Sequence, residues 1–160
     1  MAKKTAEEKT IINTNLKKYK AELSLGEHKI VSTSEKGKTY RIKFDNIKPS
    51  AIYAIDGNII TDGEKCDKLV LVKSDVPQNK WTEIFVELKG TGVDHAVKQL
   101  KATINRPVFQ HPTIDQRWAR IVAQSFPRNT GNSTIERARD FFKKNGINFN
   151  RGTCVLEEII

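Results

Sequence analysis

Two apolar runs separated by a short polar break constrain the fold of this chain more than any other feature. The runs lie within residues 66–72 and 84–90, and the break, residues 74–80, contains Pro77. Two β-strands joined by such a break are expected to form an antiparallel hairpin. Residues 69–72 are apolar without interruption, which favours a central strand that is buried on both faces.

Charged side chains mark one end of this hairpin. If the turn centres near Pro77, Asp67 falls opposite Glu87 on the neighbouring strand. Glu87 and Lys89 are two residues apart, so they share one face of the strand, while the apolar residues that alternate with them face the other way. The sequence therefore predicts two carboxylates and an ammonium group together at one end of the hairpin.

This set of groups suits metal-assisted chemistry on a phosphate. Mg²⁺ takes oxygen ligands, and Asp67, Glu87 and the backbone carbonyl of Leu88 could supply them to Mg²⁺ or Mn²⁺. The bound ion would acidify an attacking water, and Lys89 could hold or deprotonate that water or stabilise a pentavalent phosphate. The competing interpretation is a solvated strand edge, where an acid-x-lysine triplet is also common.

The residues after the hairpin predict an amphipathic helix. Residues 90–92, Gly-Thr-Gly, indicate a tight turn from strand to helix. Gln99 lies within the helix, either as a surface polar residue or with its amide reaching the site or a phosphate. The apolar residues that follow the turn recur at the spacing of one helical face and are Val93, Ala96, Val97, Leu100 and Ile104.

The series of Asp67, then Glu87-Leu88-Lys89, then a helix carrying Gln99 resembles the PD-(D/E)xK nuclease superfamily. That superfamily includes many restriction enzymes, Holliday-junction resolvases and recombination exonucleases. The resemblance implies an α/β fold of the restriction-endonuclease-like type, with a central mixed sheet flanked by helices. It also implies Mg²⁺-dependent phosphodiester cleavage, with Asp67 and Glu87 as metal ligands, Lys89 as the catalytic lysine and Gln99 as a further residue of the catalytic site.

The chain departs from the family pattern at three places. Cys66 stands where the family's nominal proline would be, a change that many members tolerate. In the recombination-exonuclease branch a tyrosine follows the helix glutamine by four residues, whereas Thr103 occupies that position here. Resolvases often contribute another acid from a first helix, and Glu8 and Glu22 are the available candidates.

The net charge of +9 makes a polyanionic partner plausible. Seven of the eight arginines lie beyond residue 100, and arginine favours bidentate phosphate contacts. Many small basic proteins bind no nucleic acid, so the net charge alone does not show that this protein binds nucleic acid. The arginines that we predict to contact nucleic acid are Arg117, Arg120, Arg128, Arg137 and Arg139.

Length and composition predict a single globular domain over residues 1–160. No apolar stretch approaches the roughly 20 residues that a membrane helix needs, and residues 1–4 lack an apolar signal region, so we expect a cytoplasmic protein. Cys66 and Cys154 are too few for a disulfide framework or a zinc site. Both are therefore expected to be free.

Other patterns predict the frame around the hairpin. Thr5-x-x-Glu8 indicates a capping box that opens a first helix through Leu23, ending at residues 24–26. Ser133-x-x-Glu136 predicts a final helix that ends near Asn145-Gly146. The predicted strands are residues 28–33 and 39–45 as a hairpin, with Tyr40, Ile42 and Phe44 on one face, a short strand within 47–65, then 118–125 and 154–160, with a loop over 126–132.

The leading hypothesis is a Mg²⁺-dependent nuclease, a hydrolase that cleaves nucleic acid with a metal-activated water. DNA is the favoured substrate, and both endonuclease and exonuclease action stay open. The alternative is a catalytically inactive protein of the same fold that binds nucleic acid or a protein partner, and a small scaffold or inhibitor is a third class. A homodimer is compatible with the resemblance, since cutting both strands of a duplex needs two sites.

Overall fold

A computed structural model describes residues 13–89, 92–126 and 134–160. The chain forms an α/β fold with a seven-stranded mixed sheet and two α-helices among these residues. One-turn 3₁₀ helices lie at Thr14–Leu16 and Pro107–Phe109. The longer elements, in chain order, are β1 (Leu23–Glu35), β2 (Lys38–Ala54), β3 (Lys68–Lys73), β4 (Trp81–Lys89), α1 (Val93–Ile104), β5 (Ile114–Ala123), α2 (Thr134–Lys144), β6 (Ile147–Thr153) and β7 (Val155–Ile159).

The sheet combines an antiparallel half with a parallel half. Strands β1 to β6 lie in sequence order, with antiparallel pairs from β1 to β4 and parallel pairs from β4 to β6. Helices α1 and α2 are the crossover connections that the two parallel pairs require. The predicted β3–β4 hairpin is confirmed, with Lys68 opposite Val86 and Lys73 opposite Trp81.

Strands β3 and β4 separate two apolar cores. Leu69 and Phe85 face the core that α1 and α2 cover, whereas Val70 and Val86 face a second core beneath the β1–β2 hairpin. Residues 69–72 are all buried, as their uninterrupted apolar sequence predicts. The predicted amphipathic helix is confirmed as α1, and all five residues of its apolar face are buried.

Strand β2 is long enough to pair with β7 along its first half and with β3 along its second half, and this closes the second core. Residues 50–54 of β2 pair with β3, while residues 39–43 pair in parallel with β7. The chain turns from β6 into β7 at Cys154, which has a φ of 62°. Gly152 leaves no room for a side chain at this corner, because an added Cβ would lie 2.8 Å from the Leu156 Cβ.

A buried ionic network fixes β7 to the rest of the sheet. Arg120 of β5 is 1% exposed and donates hydrogen bonds to the Glu158 carboxylate and to Asn148. Tyr40 of β2 donates its hydroxyl to the same Glu158 carboxylate at 2.8 Å. The Arg120 guanidinium also lies 4.6 Å from the centre of the Trp118 ring. One carboxylate therefore joins three strands.

Some predicted elements differ from the structure. The predicted first helix falls largely on residues 1–12, outside the described residues, but Leu23, which we placed in it, begins β1 because it pairs with Ile52. The separate strand predicted within residues 47–65 is the end of β2, and β6 has no counterpart in the prediction. The predicted hairpin over 28–45 is confirmed by β1 and β2. Tyr40, Ile42 and Phe44 share one face as predicted, and this face packs in the second core.

The later predictions hold in outline. Strand β5 covers most of the predicted strand 118–125, although it begins at Ile114. Helix α2 ends where Asn145-Gly146 predicts, and Gly146 has a φ of 68°, while the predicted Ser133 cap lies outside the described residues. Neither α-helix of the described chain is long and apolar enough to cross a membrane.

We expect Arg120→Met to destabilise the fold, because it leaves the enclosed Glu158 carboxylate without its cation. Removing one partner of a buried ion pair costs roughly 3 kcal/mol, which urea denaturation will measure. Arg41→Met is the matched control, since Arg41 pairs with Glu157 of β7 at 3.1 Å on the exposed side of the same strands. That change should cost about 0–1 kcal/mol. Equal small losses in both variants would contradict a structural role for the buried network.

Candidate functional site

Asp67 lies where the chain enters β3, and its position is fixed through its backbone. The Asp67 N–H donates to the Val86 carbonyl at 3.1 Å, and its carbonyl accepts from the Ile55 N–H at 2.8 Å. Its carboxylate accepts a hydrogen bond from the Leu88 N–H, with 2.8 Å between Oδ2 and the nitrogen. The carboxylate therefore spans the gap to β4 where the ladder of backbone bonds ends.

Glu87 lies on β4 at the same end of the hairpin. The paired register of β3 and β4 ends with Lys68 opposite Val86, so Asp67 and Glu87 are the next residues along the two segments. Glu87 is 1% exposed. It shares its face of β4 with Phe85, so its side chain points to the core beneath the helices. Such burial is unusual for a glutamate and is typical of one that serves a specific partner or a bound ion.

The charges of Glu87 and Asp67 both affect the pKa of the Cys66 thiol. Cys66 is fully buried. Burial raises the pKa of this thiol well above its usual value, and the charge of Glu87 and, to a smaller extent, that of Asp67 raise it further. The charges of both carboxylates therefore reach the same sulfur atom.

The backbone of β4 supplies a third oxygen at this edge. The N–H and C=O of one residue in an extended strand point to the same neighbouring strand, so the Leu88 carbonyl points to the side on which its N–H meets Asp67. Lys89 is the last residue of β4 and pairs with Ala123 of β5. Its backbone thus lies at the predicted place, while its side chain falls outside what the structure describes.

One line of side chains on α1 faces the segment that leads into Asp67. His95, Gln99 and Thr103 are spaced four apart and so share one side of the helix. His95 Nε2 lies 3.8 Å from Glu64, and the Thr103 hydroxyl accepts from the Cys66 N–H at 2.8 Å. Gln99 lies between them. Its Oε1 is buried and accepts no hydrogen bond from any described residue. This favours an amide that reaches the site over a surface polar side chain.

The donors at this edge fit a hard divalent cation. Two carboxylates and a backbone carbonyl are oxygen ligands, and Mg²⁺ commonly uses one or two carboxylates while retaining several waters. No group of three His, Cys, Asp or Glu side chains suited to a metal occurs among the described residues. Glu22 does not extend the set, because it pairs with Lys68 at 2.6 Å on the opposite face of the sheet. Glu8 lies outside the described residues.

The late arginines divide into structural and exposed groups. The prediction that Arg120 contacts nucleic acid is wrong, because its guanidinium is enclosed and engaged with Glu158 and Asn148. Arg117 is partly withdrawn as well, since it lies 3.3 Å from Glu83 and donates to Gln110. Arg137 and Arg139 lie on the exposed side of α2, with Arg139 3.3 Å from Glu136, and Arg128 lies outside the described residues.

Sequence reasoning missed Glu83, which shares the helix-side face of β4 with Glu87. Glu83 is 0% exposed, and burial raises the pKa of its carboxyl to about 8 although the Arg117 charge opposes the shift. The alternation of β4 was the available signal, because residues 83, 85 and 87 must share one face. Glu83 lies at the start of the strand, toward a polar cavity of about 360 Å³ that Arg117, Gln110 and Asn148 help to line.

We expect Glu83 to make stability depend on pH. Its raised pKa means that the folded protein keeps a proton which the unfolded chain, with a pKa near 4.5, releases. The free energy of unfolding should therefore fall as the pH rises from about 5 to about 8, by at most about 1.4 kcal/mol per pH unit. Glu83→Gln should flatten this dependence in urea titrations, whereas the exposed Glu136→Gln should not. Parallel curves for wild type and Glu83→Gln would contradict the assignment.

Comparison of the chain with protein-family models, with curated proteins and with solved structures found no match. What this protein does must therefore be inferred from its own residues. The strongest local arrangement lies at this end of the β3–β4 hairpin, where the Leu88 N–H donates to the Asp67 carboxylate and the neighbouring Glu87 is buried.

Proposed function

We propose that the protein is a metal-dependent phosphodiesterase that cleaves nucleic acid, with DNA as the favoured substrate. The observation that supports the proposal is that Asp67 and the buried Glu87 lie at the carboxyl end of β4, with the Leu88 N–H donating to Asp67 at 2.8 Å. This is also the end of the parallel strands at which α/β proteins place their ligands. The PD-(D/E)xK resemblance implies the same residues from the sequence.

Each residue of the site would have a distinct task. Mg²⁺ or Mn²⁺, when bound, supplies an acidified water and neutralises charge on the phosphate. Asp67 and Glu87 would hold the ion together with the Leu88 carbonyl. Lys89, which ends the same strand, would hold or deprotonate the attacking water or stabilise the charge that develops on the phosphate. Gln99 would orient water or phosphate through its amide.

The charge of the protein supports a phosphodiester substrate. The net charge of +9 favours a polyanion. The burial of Arg120 removes one arginine from the predicted contact set, so Arg137 and Arg139 are the described members of that set that are exposed. A homodimer would provide the two sites that cleavage of both strands requires.

We expect Lys89→Ala to abolish cleavage without abolishing nucleic-acid binding. Incubation with Mg²⁺ or Mn²⁺ and a panel of single-stranded, duplex and branched DNA and of RNA will measure cleavage, and filter binding with Ca²⁺ will measure affinity. A lysine that acts mainly in the transition state lowers the rate but not the ground-state affinity. The rate should fall at least ~100-fold, by analogy with removing an oxyanion-hole donor.

Lys73→Ala is the matched control for this experiment. Lys73 ends β3 at the opposite end of the same hairpin, where its ammonium group donates to the Gln78 carbonyl at 2.9 Å. This variant should cleave at the wild-type rate. Cleavage that survives Lys89→Ala would assign the activity to another site or to a contaminating nuclease.

The alternative function is nucleic-acid or protein binding by an inactive protein of this fold. The small number of acidic groups favours it, because no group of three His, Cys, Asp or Glu side chains suited to a metal occurs among the described residues. Binding across the panel without cleavage by the wild-type protein would support this alternative. An absence of nucleic-acid binding would leave a protein partner, or a role as a small scaffold or inhibitor, as the remaining candidates.

A further inference from the structure

Thr103 joins α1 to the segment that precedes Asp67. Its side chain lies in the last turn of α1 and is 0% exposed. The Thr103 hydroxyl donates to the Gln99 carbonyl at 2.7 Å and accepts from the Cys66 N–H at 2.8 Å. A hydroxyl has one proton to donate, so the bond to Gln99 turns a lone pair toward Cys66.

These two hydrogen bonds differ in what they indicate. A threonine within a helix commonly donates to the carbonyl four residues earlier, so the bond to Gln99 is ordinary. The bond to Cys66 crosses 37 residues of sequence. It connects the helix that follows Lys89 to the residue immediately before Asp67. One part of the proposed site is Asp67, which precedes β3, and the other is carried by β4 and α1. The Thr103 hydroxyl links these two parts.

The position of Cys66, the residue before Asp67, depends on its hydrogen bond to Thr103. The Asp67 backbone is held by Val86 and Ile55, but the Cys66 N–H is directed away from both toward Thr103. Cys66 is fully buried, and a buried N–H without an acceptor is strongly unfavourable. Removing the hydroxyl should therefore displace Cys66 and shift the adjoining Asp67 carboxylate relative to Glu87.

We propose that Thr103 is a positioning residue that sets the Asp67 carboxylate against Glu87 for metal binding. The proposal rests on the function proposed above, since it assigns Thr103 a role in that site. Outer groups that orient metal ligands typically contribute 10–100-fold to metal affinity or activity. Thr103 would act through Cys66 and Asp67 without touching the metal or the substrate.

The test compares the Mn²⁺ affinity of four proteins by calorimetry and their cleavage in the nucleic-acid panel. Thr103→Val removes the hydroxyl at nearly constant volume, and Thr103→Ser retains it. Thr82→Val is the matched control, because Thr82 is a buried threonine of β4 at the far end of the strand, bonded to the Ser74 hydroxyl at 2.8 Å. Thermal unfolding of each variant separates loss of stability from loss of the site.

We expect Thr103→Val to weaken Mn²⁺ binding about 10-fold and to speed hydrogen exchange at the Cys66 amide. Thr103→Ser should restore both, and Thr82→Val should bind Mn²⁺ like wild type even if it melts at a lower temperature. If Thr103→Val does not fold, Thr103→Ala lacks the same hydroxyl without placing a methyl group against the Cys66 N–H, and the same loss is expected.

Two results would overturn the proposal, and they are distinguishable. Wild-type Mn²⁺ affinity in Thr103→Val, beside normal binding by the wild-type protein, would reject the role of Thr103 and leave the metal site intact. An absence of Mn²⁺ binding by the wild-type protein would reject the metal site itself and the role of Thr103 with it.

Discussion

The register of the β3–β4 hairpin is the constraint on which the site and both cores depend. With Lys68 opposite Val86, Asp67 meets the Leu88 N–H and Glu87 faces the core beneath the helices. A slip of one residue would reverse the faces of β4. It would turn Glu83 and Glu87 into the second core and bring Ile84 and Val86 beneath α1. Apolar residues on both sides of the hairpin therefore select the register that turns Glu87 toward the core beneath the helices.

The second core depends on a polar interaction rather than on apolar packing alone. Strand β7 pairs only with the first half of β2, and Glu158 links it to Arg120 of β5 and Tyr40 of β2. Burial, and then the adjacent Glu158 charge, raise the pKa of the Tyr40 hydroxyl well above its usual value. The tyrosine thus stays a donor to Glu158. Removing Glu158 would leave the buried Tyr40 hydroxyl and part of the buried Arg120 guanidinium without their acceptor.

Local sequence pattern predicted the elements whose periodicity is complete. The uninterrupted run at residues 69–72 and the helical spacing of α1 each identified their element, and the polar break between the two apolar runs identified the β3–β4 hairpin. Strand β6 was missed because its alternating residues are partly or fully exposed and include Gly152. The length of β2 was missed because its two halves pair with different strands, and pairing partners cannot be read from periodicity.

The electrostatic role of individual residues was less predictable than the backbone. Arg120 lies in the arginine-rich second half of the sequence, and its partner Glu158 reaches it only because β7 pairs with β2. The alternation of β4 places Glu83 on the helix-side face, but only the fold brings Arg117 of the neighbouring parallel strand beside it. Thr103 departs from the family pattern in the sequence. Its contact with Cys66 joins α1 to the segment before β3, which only the fold brings together.

Mn²⁺ calorimetry of the wild type, Asp67→Asn and Glu87→Gln tests the proposed site most directly. Glu83→Gln is the control, since Glu83 is a buried glutamate on the same face of the same strand. If Asp67 and Glu87 bind one ion together, the wild type should bind Mn²⁺ at a single site. Each of the two substitutions should then remove most of the affinity, and Glu83→Gln should leave it unchanged. Wild-type affinity in both Asp67→Asn and Glu87→Gln would contradict the metal site.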